Sequence, residues 1–138
     1  MSTRATIHFC DSNKRDVAIV YNHSDGYPEG LGQDILDFFK EVEQLDDPRF
    51  NDPSYLASKW IVWKSNKYVQ GDNPLNFLSV GIVLQDPCDI EFRYNVICGN
   101  GIPKVIVDKH PVKWDGVNPP IVTDGVHGSP LSRCLKKT

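Results

Sequence analysis

From Ile90 to Cys98 the chain alternates without a break: Ile90, Phe92, Tyr94, Val96 and Cys98 fall on one side, and Glu91, Arg93 and Asn95 on the other. Successive side chains of a strand point to opposite faces, so this run specifies a strand with one apolar and one polar face. Such a strand needs a second layer to cover its apolar face, which restricts the chain to architectures in which a sheet packs against something else.

Other segments supply the rest of the sheet. Arg4 to Cys10 places Ala5, Ile7 and Phe9 against Arg4, Thr6 and His8, the pattern of a half-buried strand. Asp11-Ser12-Asn13-Lys14-Arg15 carries turn chemistry, and the chain returns from Asp16 to Tyr21 with Val17, Ile19 and Tyr21 against Ala18 and Val20, so the two segments are expected to form a hairpin. Phe77 to Leu84 and Ile90 to Cys98 flank Gln85-Asp86-Pro87-Cys88-Asp89 and predict a second hairpin with a five-residue connection. Lys104 to Asp108 follows Gly99-Asn100-Gly101 as a short final strand at a sheet edge.

Two helices lie between the strand pairs. Leu31, Ile35, Phe38, Phe39 and Val42 share one helical stripe, with Gln33, Asp34, Asp37, Lys40 and Glu41 largely outside it. Asp46-Asp47-Pro48 ends that helix. Asp52-Pro53 supplies an N-cap and a first-turn proline for a second helix, with Leu56, Ala57, Trp60, Ile61 and Trp63 as its apolar surface and Ser58, Lys59 and Lys64 toward solvent. Asn66 to Pro74 reads as a loop. The predicted fold is therefore α+β: a largely antiparallel sheet of about five strands, order ββααβββ, with two helices on one face. Residues 1–109 form this domain, and 110–138, rich in Pro and Gly, form an irregular arm packed on it through Trp114, Ile121 and Val122. Strands and helices do not alternate and no Gly-rich phosphate loop follows a strand, which argues against a doubly wound dinucleotide fold.

Composition narrows the function classes. At 138 residues with 40% hydrophobic and 24% charged residues, the chain has the makeup of one ordinary domain, and a net charge of -3 defines neither a basic nor an acidic class. Lys and Arg are scattered apart from Arg133, Lys136 and Lys137, so direct binding of a nucleic-acid duplex is not expected. No apolar run reaches the roughly 18 residues of a membrane span and no secretory-signal pattern opens the chain, so a cytoplasmic setting without membrane contact is expected. Cys10, Cys88, Cys98 and Cys134 are too far apart for a zinc or redox motif and are expected as free thiols. The histidines His8, His23, His110 and His127 lack metal-ligand spacing, and neither a metal nor a cofactor is implied.

The segment from Tyr21 to Gly30 concentrates chemistry between a strand and a helix. His23 has the side chain for proton transfer near neutral pH, and Asp25 or Glu29 the carboxylate to orient it. The same residues equally build a corner: Asp25-Gly26 as a turn, Pro28 to stiffen it, Glu29 to complement the start of the helix. Arg4 and Arg93, on polar strand faces, and Gly30 and Gly32 near the helix start are the elements of an anion site, opposed by Glu29 and Asp34. Arg4, His23, Asp25, Tyr27, Glu29 and Arg93 are thus the candidate binding residues, and no residue is assigned a catalytic role.

Met1-Ser2-Thr3-Arg4-Ala5 and the stretch His23-x-Asp25-Gly26-Tyr27-Pro28-Glu29-Gly30 resemble a group of small uncharacterised bacterial and bacteriophage proteins. Those chains share a Ser/Gly-Thr-Arg start and an Asp-Gly-Tyr-Pro-x-Gly segment before a helix, a similarity covering the first third. The resemblance implies a bacterial host cytoplasm and no reaction that can be carried over. The function expected from it is a noncatalytic binding protein of phage type, a host-directed inhibitor of a bacterial defence system that binds a host protein or a small nucleotide signal, with Tyr27, Tyr55, Tyr68, Trp63 and Trp114 as aromatic anchors. Two alternatives stand beside it: a small hydrolase or nucleotide-processing enzyme using His23 with Asp25 or Glu29, and a virion structural or assembly protein that forms homo-oligomers through an open sheet edge.

Overall fold

The computed structural model describes residues 2–46, 49–69, 71–122 and 128–135. The readings that touch Met1, Asp47, Pro48, Asp124-Gly125, His127, Lys136 and Lys137 lie outside the described residues. In chain order, β1 (Ala5–Cys10) and β2 (Asp16–Asn22) are followed by a π-helical turn (Pro28–Gly32), α1 (Gln33–Glu43) and α2 (Pro53–Lys67). After a 3-10 turn (Pro74–Asn76) come β3 (Val80–Val83), β4 (Phe92–Ile97), β5 (Lys104–Lys109), β6 (Val112–Lys113), β7 (Ile121–Val122), β8 (Ser129–Pro130) and a short α3 (Leu131–Cys134). The fold is α+β, with a mostly antiparallel six-stranded sheet in the order β3-β2-β1-β4-β5-β8 and β6 and β7 paired as a separate ribbon.

The helices form where the local chemistry asks for them. The Asp52 side chain accepts from the Ser54 and Tyr55 N–H groups, capping α2 ahead of Pro53. The α1 stripe is buried as its spacing requires: Ile35, Phe38, Phe39 and Val42 join Trp60 and Leu56 of α2 over Ile7, Phe9, Val20, Tyr94 and Val96 of the sheet. At the corner between β2 and α1, Asp25 takes a left-handed φ of 57° and Gly26 donates to the Thr3 carbonyl at 2.9 Å. A Cβ on Gly26 would come within 2.7 Å of both the Ala5 Cβ and the Thr3 oxygen, so only glycine lets the two backbones approach there. Tyr94 closes the corner from below, donating from its hydroxyl to the Gly26 carbonyl at 2.6 Å.

Several expectations are corrected. β3 and β4 are not a hairpin: β3 pairs with β2, and β4 pairs in parallel with β1, with Ile7 opposite Tyr94 and His8 opposite Asn95. Both strands run in the direction of β1, so residues 84–91 must travel back across the sheet instead of turning in place. β5 is not the edge, since β8 from the C-terminal arm pairs with Ile106 and Val107. The arm is anchored by Val112 and Leu131, which are buried, whereas Trp114, Ile121 and Val122 are exposed. Asp34 and Lys64, expected in solvent, are buried as an ion pair at 2.6 Å, with the Tyr68 hydroxyl donating to the same carboxylate. β1 is buried along its whole length, not on one face alone.

No helix among the described residues is long and apolar enough to cross a membrane.

Candidate functional site

The second face of the sheet, away from α1 and α2, carries a buried network of polar and charged side chains. β1 contributes Thr6 and His8, β4 contributes Arg93 and Asn95, and β5 contributes Asp108; the register places Thr6 beside Arg93, His8 beside Asn95, and Arg93 opposite Asp108. Two more carboxylates arrive by irregular backbone. A bulge between Phe9 and Cys10 skips Val17 and pairs Cys10 with Asp16, which turns Asp16 onto the His8 face. Asp86 comes from the 84–91 connection as it recrosses the sheet, and its side chain is 1% exposed.

The bonding is dense. His8 is held at both ring nitrogens, Nδ1 to Asp16 at 2.9 Å and Nε2 to Asp86 at 2.6 Å. Asp86 also accepts from the Thr6 hydroxyl at 2.5 Å and from Arg93 Nη1 at 3.0 Å. The other side of the same guanidinium donates from Nε and Nη2 to Asp108, at 3.2 and 3.1 Å, and Asn95 donates to Asp108 at 3.0 Å. With one carboxylate on each ring nitrogen, both nitrogens serve as donors, the imidazolium form.

The charges follow from this geometry. Burial by itself would lower the His8 pKa, but the hydrogen bonds to Asp16 and Asp86 outweigh it and raise the value above its ordinary 6.5. The His8 hydrogen bond holds Asp16 below the ordinary 3.8, and at Asp86 the bonds from His8 and Thr6 outweigh burial to the same effect. Cys10, beside Asp16 at 3.4 Å, is pushed up to about 12 by burial and then by that carboxylate, so its thiol is not a nucleophile at neutral pH.

A group with a raised folded pKa contributes stability below its unfolded value and loses it as pH climbs through the folded one; a depressed carboxylate does the reverse. The network should therefore stabilise most between about pH 4 and about pH 6.5, the ordinary values of its carboxylates and of His8. Thermal unfolding measured across pH should show stability declining as pH rises above about 6.5, and His8→Gln should flatten that limb. An alkaline limb that His8→Gln leaves unchanged would remove His8 as its source.

Above the network lies a cavity of about 370 Å³. His8, Cys10, Asp16, Asp86, Arg93 and Asn95 form its polar floor; Ile19, Leu84, Ile97 and the arm residues Val112, Pro120 and Val122 form apolar walls, with Lys14 at the rim. Asp16, at 47% side-chain exposure, is the accessible carboxylate of the set. Among the described residues no group of three or more His, Cys, Asp or Glu has the arrangement to hold a metal ion.

The candidates chosen from sequence are dispersed. Arg93 is in the network, bonded to Asp86 and Asp108, and Arg4 pairs with Asp89 at 2.5 Å, so neither stands open for an anion as the sequence suggested. His23 Nδ1 bonds the Tyr21 hydroxyl at 2.8 Å, and no hydrogen bond joins it to Asp25 or Glu29 among the described residues. The register sets Asn22 opposite Ala5 and Ile19 opposite His8, so His23 lies at the far end of the hairpin from His8. Asp25 and Tyr27 line a second cavity of about 290 Å³ with Asp34, Lys64 and Tyr68, and Glu29 is exposed. Asp16, Asp86, Asn95 and Asp108 were not anticipated, and His8 reads from sequence chiefly as an ordinary histidine on a polar strand face. The available signal was the polar side of the two alternating strands, which reads as a solvated face until something covers it.

Compared with known proteins, the chain matches no protein-family model, no curated protein and no solved structure.

Proposed function

We propose that this is a noncatalytic binding protein that holds a small ligand in the cavity over the His8–Asp86–Arg93 network. The observation that carries this reading is a preformed concavity with apolar walls and a polar floor whose buried charges already satisfy one another. Such a floor is rigid and costs little to organise on binding. It is poorly suited to catalysis, since His8 has no nitrogen left to accept a proton and the Cys10 thiol stays protonated.

The size and charge indicate the ligand class. Pockets for small molecules span roughly 300–1,000 Å³, so this one, near the lower bound, suits a single heterocycle or nucleoside rather than a dinucleotide. In the network as a whole three carboxylates, Asp16, Asp86 and Asp108, face the two cations His8 and Arg93, which disfavours a phosphate over it and favours N–H donors directed at Asp16, the accessible carboxylate of the cavity floor, with any phosphate outside near Lys14. Joined to the resemblance to small bacterial and bacteriophage proteins, this gives a protein that inhibits a host defence by sequestering the base end of a nucleotide signal in the bacterial cytoplasm.

Native mass spectrometry of the protein purified from bacterial lysate, with calorimetric titration of nucleosides and mononucleotides, tests the reading. A retained small molecule or a saturable heat is expected, and Asp16→Asn should weaken binding about tenfold or more, the worth of a hydrogen bond to a charged group. No retained mass and no heat with any of these compounds would end the proposal, as would an Asp16→Asn variant that binds equally well.

A further inference from the structure

Nothing among the described residues requires a glycine at position 81. It sits inside β3, is not among the positive-φ glycines, and a Cβ built on it meets nothing within 4 Å. Glycine inside a strand weakens it and often marks the close approach of another backbone. β3 is also the outermost strand of the sheet. The His23 N–H donates to the Ser79 carbonyl at 2.8 Å, which sets the parity of the antiparallel ladder: Gly81 and Val83 turn their backbone groups toward β2, and Val80 and Ile82 turn theirs to the open edge.

Among the described residues, no charged side chain, proline or bulge within β3 blunts this edge. Natural sheet edges usually carry Lys, Pro, a bulge or a covering segment. From Pro74 to Gln85 the chain has no charged residue, while Leu78, Ile82 and Leu84 are 88%, 76% and 99% exposed. The opposite edge is the two-residue β8, which contains Pro130.

We propose that β3 is the contact between two copies of this chain, paired antiparallel about a two-fold axis at Gly81. With Gly81 opposite its own copy, Val80 bonds Ile82 of the second copy and Ile82 bonds Val80, which uses the outward backbone groups of both. The exposed Leu78 and Leu84 flank the paired strand just beyond its two ends. The non-hydrogen-bonded position at the axis brings Cα atoms to about 4.5 Å, where a missing side chain is easily accommodated. An uncharged segment meets its own copy without like-charge repulsion, and a two-fold contact consumes the patch and closes as a dimer rather than a fibre.

Light scattering over a wide concentration range should give a mass twice the 15.6 kDa of the chain. Ile82→Pro removes an edge N–H that the β2 ladder does not use, and Ile82→Lys places a charge at the contact; both should be monomeric with an unchanged far-UV spectrum. Amide exchange should show Val80 and Ile82 protected in the wild-type dimer, and Val80 exposed in Ile82→Lys. If Ile82→Pro disturbs the spectrum, Ile82→Lys and the exchange measurement decide alone. A wild-type chain that is monomeric at every concentration overturns the proposal, and so do an Ile82→Lys dimer and a dimer in which the Val80 and Ile82 amides exchange freely.

Discussion

Arg93→Ala is expected to cost about 3–5 kcal/mol in guanidinium chloride unfolding, the range for breaking a buried ion pair from one side. Arg93 is 3% exposed, and its guanidinium spans two carboxylates, with Nη1 on Asp86 and Nε and Nη2 on Asp108. Its removal leaves two buried negative charges that, among the described residues, keep Thr6, His8 and Asn95 as side-chain donors. Arg93→Lys should recover only part of the loss, because a single ammonium lacks the planar fork that reaches both partners. Replacing Arg93 and Asp108 together by Leu should lose less than Arg93→Ala, since no stranded charge remains at that pair. The exposed Arg4–Asp89 pair is the comparison: Arg4→Ala should fall within about 0–1 kcal/mol. A loss under about 1 kcal/mol for Arg93→Ala would mean that water reaches the network and that the second face is held by the apolar walls alone.

Phe38→Asp should abolish folding. Phe38 is 1% exposed and lies between the two helices, edge-on to Trp60 at 5.4 Å, with Trp63 at 5.8 Å and Phe39 at 6.0 Å. Truncation of such a ring to alanine costs about 3–5 kcal/mol, and a carboxylate adds an unpaired charge in an apolar site. Against the roughly 5–15 kcal/mol of net stability typical of a domain, the sum leaves no folded population. Phe38→Leu, which keeps most of the volume, should remain folded with a lowered midpoint. Circular dichroism and the tryptophan fluorescence maximum report both variants; a native spectrum for Phe38→Asp would show that α1 can leave the sheet without unfolding it.

The elements that proved legible are those whose partners lie within a few residues. The alternation from Ile90 to Cys98 contains β4, the stripe from Leu31 to Val42 became the buried side of the π-helical turn and α1, and Asp52-Pro53 capped α2. The misreadings have one origin. Thr6, His8, Arg93 and Asn95 alternate with apolar residues and so read as a solvated face, yet all four are buried. Periodicity separates polar from apolar sides and does not say which of them water reaches. Asp34 and Lys64 were assigned to solvent for the same reason, although they are 30 positions apart and satisfy each other. The Tyr21 to Gly30 segment drew attention because its chemistry is compressed in sequence, whereas the network assembles residues as far apart as Thr6 and Asp108.

Local pattern alone thus determined the identity of the main strands and helices, the apolar stripe that α1 buries, and the need for a corner at Gly26, because backbone dihedrals, capping groups and side-chain period act over one or two turns of chain. Tertiary structure decided the rest. The parallel pairing of β1 with β4 sends residues 84–91 back over the sheet and delivers Asp86 to His8 and Arg93. The arm closes the cavity, and the strand order leaves β3 at an open edge with Gly81 at its centre. These outcomes depend on which segments meet, and that is settled by the burial of whole faces and the pairing of distant charges, which no short window of sequence contains.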